Sequence, residues 1–110
     1  MSAVAPIAES ETSRMRRARA VAGARAAVAA LRDKGVVALV TGSLAEGDFR
    51  EGSDIDLLVT ECPKPLKYAI EGLVEDSLNG FSFDLIYLDE VPARKLSGFL
   101  GKARDVSTLR

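Results

Sequence analysis

Two short pieces, whose Gly-Ser pair and Asp-x-Asp stand ten residues apart, constrain this chain more than anything else in it. They are Gly42-Ser43-Leu44-Ala45-Glu46-Gly47 and Ser53-Asp54-Ile55-Asp56-Leu57-Leu58-Val59. An apolar run, residues 36–41, leads into the first, and the second is mostly apolar itself. Short continuous apolar runs bounded by turn residues read as buried strands. A fold that satisfies both pieces has two strands that deliver a small, phosphate-sized turn and a pair of carboxylates to the same place.

The rest of the chain supplies helices and one more strand. Residues 1–9 read as a flexible N-terminal tail and residues 10–110 as a single domain. Polar N-cap candidates at 10–13 open a helix that runs to about Asp33. Val21, Ala24, Val28 and Leu31 share one stripe of it, and Gly35 follows as a C′ residue. Residues 42–47 turn the chain and begin a short helix, and residues 48–53 form a polar loop. Residues 54–60 read as the second strand, closed by Pro63 and Pro65. Residues 66–78 fit a helix with Ile70, Leu73, Val74 and Leu78 inward, ended by Asn79-Gly80. Residues 81–88 alternate as a third, central strand that contains Asp84, and Val91-Pro92 opens a last helix that Gly98 and Gly101 weaken. The expected class is α/β (α+β), a short mixed sheet packed against helices.

Composition removes several kinds of function. At 110 residues, 47% apolar and a mean hydropathy of +0.08, the chain is long enough to bury a modest core. It has no His, which excludes imidazole bases and His zinc ligands. Cys62 stands alone, so no internal disulfide forms, and nothing near it in the sequence marks it as reactive, so it reads as an inert small hydrophobe. Residues 1–40 carry seven basic and three acidic residues; residues 41–110 carry eight and thirteen. The acidic excess of the larger part suits a cation site and not a nucleic-acid groove. Low aromatic content and no Trp leave no platform for stacking single-stranded bases. The arginines at 14, 16, 17, 19 and 25 spread around the helix axis and read as a solvated surface. Arg19, Arg25 and Arg32 interrupt the alanine-rich segment below membrane-spanning length, and Glu9 and Glu11 do not suit a transit peptide. The expected setting is soluble and cytoplasmic.

The constellation has a chemistry. Residues two apart in a strand share a face, so Asp54 and Asp56 point the same way. Two neighbouring carboxylates repel, and each is costly if buried unpaired. Bound Mg²⁺ or Mn²⁺ relieves both problems, because hard cations take oxygen ligands. Asp84 on the next strand completes a carboxylate triad. Gly42 lets the backbone approach a ligand closely, and the Ser43 hydroxyl can hold phosphate oxygens. Together these parts suit two-metal transfer of a nucleotide from a triphosphate.

At this point the residues resemble a family. Gly42-Ser43, ten residues, Asp54-Ile55-Asp56 and a later Asp84 resemble the DNA polymerase beta-like nucleotidyltransferase superfamily. The small size and the run Gly-Ser-x-Ala-x-Gly…Ser-Asp-x-Asp-Leu-x-Val resemble its minimal nucleotidyltransferase branch, over roughly residues 10–105. The resemblance implies a Mg²⁺-dependent antitoxin that transfers AMP from ATP to a tyrosine of a partner HEPN-domain ribonuclease toxin. It implies that Asp54 and Asp56 bind both metals, that Asp84 binds the catalytic metal and helps activate the incoming hydroxyl, and that Gly42 and Ser43 hold the terminal phosphates. Where this chain has Glu46 the family usually has a basic residue, and Arg50 is expected to supply the missing charge. Two alternatives stay open: an antitoxin that acts by contact alone, and transfer to a small molecule or another acceptor. Loss of neutralisation on Asp54→Asn, with the complex intact, separates the first from catalysis.

Overall fold

The computed structural model describes the backbone of residues 5–109, with side chains from residue 13 onward. Helix α1 (Ala5–Asp33) leads into strand β1 (Val37–Thr41), the short helix α2 (Gly42–Glu46) and strand β2 (Ile55–Glu61). Helix α3 (Glu71–Leu78), strand β3 (Phe83–Tyr87) and helix α4 (Ala93–Lys102) follow, with single 3-10 turns at Lys64–Leu66, Leu88–Glu90 and Val106–Thr108. The sheet order is β1-β2-β3. β1 pairs antiparallel with β2 and β3 pairs parallel with it, so the sheet is mixed as expected. No helix among the described residues is long and apolar enough to cross a membrane.

The core lies between one face of the sheet and the helices α1 and α3. Ala20, Val21, Ala24, Ala27, Val28 and Leu31 of α1 face Ala38 and Val40 of β1 and Ile55, Leu57 and Val59 of β2, with Val74 and Leu78 of α3 beside them. Alternation puts Asp56 and Leu58 on the other face. Leu58 is also fully buried, although it stands apart from the main core. Helix α4 lies on this second face, where it shares one cleft with Thr41 and another with Ile86.

Four expectations differ from the structure. Helix α1 begins at Ala5, upstream of the boundary drawn at residue 10, so the N-cap candidates at 10–13 lie inside it. Alanine and glutamate favour helix there, and Pro6 sits in the first turn, where its missing N–H costs nothing. Residues 1–4 of the expected tail lie outside the described residues. The helix expected over 66–78 starts only at Glu71, because Tyr68 holds a left-handed φ of 66°. Its backbone N–H donates to Tyr87 Oη (3.1 Å), and the two rings meet edge to face at 5.1 Å. Long-range contacts thus override a local helical pattern. β3 is an edge strand and not a central one, so β2 alone is paired on both sides. Finally, the α1 arginines are not merely solvated. Arg16 and Arg19 lie over the Phe81 ring (5.2 and 5.7 Å), Arg17 Nη1 donates to Leu44 O (3.4 Å) and Arg25 Nη2 to Leu109 O (2.9 Å).

Candidate active site

The site is assembled where three strand ends meet. β1 finishes at Thr41, β2 begins at Ile55 and β3 at Phe83, each one residue before its aspartate, Asp56 or Asp84. Register pairs Thr41 with Asp56 on one side and Asp56 with Asp84 on the other. Asp56 is therefore the central carboxylate, with Asp84 directly across the parallel ladder and Asp54 two residues before it. Asp56 is half-buried, whereas Asp54 and Asp84 are exposed. Because β3 is an edge strand, Asp84 stays exposed, and burial falls on Asp56.

Gly42 explains how the turn and the carboxylate come so close. Its φ of 69° is a left-handed value that a side chain disfavours. A Cβ placed on it would lie 3.1 Å from Asp56 Cγ and would overlap Oδ2 of the same carboxylate. Only glycine lets α2 start there. Ser43 follows in the first turn of α2, half-buried, and Leu44 anchors that turn in the core.

Electrostatics single out Asp56. Burial, then the nearby Asp84 and Asp54 carboxylates, raise its pKa from the usual 3.8 to about 6. Ser82 Oγ donates to Asp54 Oδ1 at 2.5 Å, which turns that carboxylate toward β3. Ser82 stands two residues before Asp84, so strand alternation puts the two on one face, and that spacing is its signal in the sequence.

As the side chains stand, no group of three or more acidic, Cys or His residues among those described is gathered tightly enough to enclose a metal ion. The fit to a divalent cation rests instead on the donor set. The charged neighbours of Asp56 are carboxylates whose negative charge raises its pKa, and the absence of a side chain on Gly42 leaves room for the Asp56 carboxylate beside the turn. Hard oxygen-seeking cations match that set.

The remaining residues divide. Arg50 is exposed in the turn at 50–53, where its backbone N–H donates to Ser53 Oγ (3.0 Å) and Ser53 N–H donates back to Arg50 O (2.9 Å). Lys67 is bound to Asp89 and Glu90 (3.0 Å each) beyond the C-terminal end of β3, away from the carboxylates. The cleft that does open beside Gly42 has a volume of about 380 Å³ and is lined by Thr41, Gly42, Glu46, Lys95, Gly98, Phe99 and Lys102. Sequence reasoning missed Lys95 and Lys102, because nothing local ties α4 to the Gly42 turn.

Comparison with known proteins agrees with this geometry. The model of the nucleotidyltransferase domain family matches residues 24–106. A solved structure assigned as a minimal nucleotidyltransferase superposes with a TM-score of 0.61 at 29% identity, covering 84% of this chain and 91% of its own. No curated protein matches the chain.

Proposed function

The chain belongs to the nucleotidyltransferase domain family, in its minimal form, and on that premise we propose that it transfers AMP from ATP to a tyrosine hydroxyl of a partner protein. The partner of this reading is a HEPN-type ribonuclease toxin, which the chain silences as an antitoxin. The observation that carries the transfer is the abutment of Asp56 on Gly42, with Asp84 across the ladder and Asp54 beside it.

The residues have distinct tasks in this reaction. The acceptor oxygen attacks the α-phosphorus of ATP, the bond from that phosphorus to the α–β bridging oxygen breaks, and pyrophosphate leaves. Asp84, the exposed carboxylate, draws the hydroxyl proton on its way to water in this reading. Asp54 and Asp56, with Asp84, would hold Mg²⁺ (or Mn²⁺), which supplies charge stabilisation at the phosphate oxygens. Gly42 and Ser43 line the approach of the phosphates, and Arg50 contributes positive charge from the adjoining turn.

The test is intact-mass spectrometry of the neighbouring gene's product after incubation with ATP, Mg²⁺ and this protein. A gain of one or more AMP masses that disappears with Asp54→Ala/Asp56→Ala supports the reading. A stable complex that neutralises the partner without any mass gain favours the second reading, neutralisation by contact, for which the acidic Glu46 beside Gly42 is the motivating observation.

A further inference from the structure

Helix α4 contains two glycines in ten residues, and packing requires neither. A Cβ added at Gly98 or at Gly101 meets nothing within 4 Å. Glycine inside a helix is disfavoured relative to alanine, so its presence calls for another reason. Gly98 lines the cleft beside Gly42, and Lys95 and Lys102 line it from either side of that glycine. Positions 95, 98, 99 and 102 fall on one helical face, and the two lysines are about 10 Å apart along the axis at 1.5 Å per residue. Neither lysine side chain has an ion-pair partner among the described residues. The only acid in the lining is Glu46, so the cleft is net positive. Residues 93–104 hold four basic residues and no acidic one, half of the basic residues in an otherwise acidic part of the chain.

We propose that Lys95 and Lys102 are the cations that hold the polyphosphate of the nucleoside triphosphate, with Gly98 keeping the trough between them open. This rests on the nucleotidyltransferase reading above and locates its phosphate charge on α4, opposite the acidic position 46. Two ammonium groups on one face meet successive phosphates of a single chain and hold the departing pyrophosphate after the α-phosphorus bond has broken. Phe99, half-buried between them, gives the trough an apolar floor.

Equilibrium binding of Mg²⁺·α,β-methylene-ATP, which cannot be cleaved at that bond, and of inorganic tripolyphosphate tests the assignment. Lys95→Ala/Lys102→Ala weakens both probes at least roughly tenfold and flattens the dependence of log Kd on log salt. Lys95→Arg/Lys102→Arg retains binding. Gly98→Leu, which fills the trough with a better helix former, folds with an unchanged far-UV spectrum but loses both probes. Binding by the double alanine variant within about twofold of wild type overturns the lysine assignment and leaves the nucleotidyltransferase reading standing. Failure of the wild type to bind either probe overturns both.

Discussion

At the scale of single residues, Gly42 and Asp56 act as one unit. Gly42→Ala adds a methyl group that meets the Asp56 carboxylate and forces a left-handed φ on a residue with a Cβ. The backbone cost alone is about 1–2 kcal/mol. The variant is expected to melt lower and to lose transfer almost completely, as read by Tm and by AMP-labelling of the partner. Asp56 makes a second prediction through pH. Its folded carboxyl binds a proton more tightly than the unfolded one, about 6 against 3.8. Its stabilising contribution is therefore fully present below pH 3.8 and is lost as pH rises through about 6. In EDTA, Asp56→Asn should melt above wild type at pH 7.5 and converge with it near pH 4. Solvent screening of a partly exposed group keeps the gap to roughly 2–4 °C. A wild type that melts higher than Asp56→Asn at pH 7.5 without metal would sink this account.

Among the elements, α1 and α4 bury their faces very differently. Ala20, Ala24 and Ala27 are wholly buried in α1, which brings its backbone close to the sheet and α3. Ala24→Leu overfills that contact and is expected to cost about 1–3 kcal/mol, read as a lower urea midpoint with an unchanged slope. Helix α4 buries no residue completely, and Leu100 is 48% exposed. Gly98→Ala there meets no atom and should raise stability by about 0.5–1 kcal/mol. An unchanged or lower Tm for that variant would mean that α4 is not helical at position 98. The start of α3 teaches the opposite lesson about pattern. Helical spacing marked 66–78, yet Tyr68 and Lys67 are drawn out of it by Tyr87, Asp89 and Glu90. Those partners lie about twenty positions later, beyond the reach of any local signal.

For the whole molecule, the sequence by itself determined the elements that carry strong local periodicity. The stripe Val21, Ala24, Val28 and Leu31, the residues Val36, Ala38, Val40 and Thr41 of the apolar run, and Ile70, Val74 and Leu78 are buried where spacing put them, while Val37, Leu39 and Leu73 are half-buried. It also pointed to the Gly42 turn and Asp56, which the antiparallel pairing of β1 with β2 brings together. The rank of β3 was not legible, because edge and central strands share one pattern until the sheet is built. Nor was it legible which carboxylate would bear the burial: Asp54, Asp56 and Asp84 look alike in sequence, and only the ladder puts Asp56 in the middle. The approach of Lys95 and Lys102 to Gly42 spans more than fifty residues of chain and was decided by where α4 packs on the sheet. Local periodicity reports which side of an element is apolar. Which elements then meet is set by burying those sides together, and only the tertiary structure carries that information.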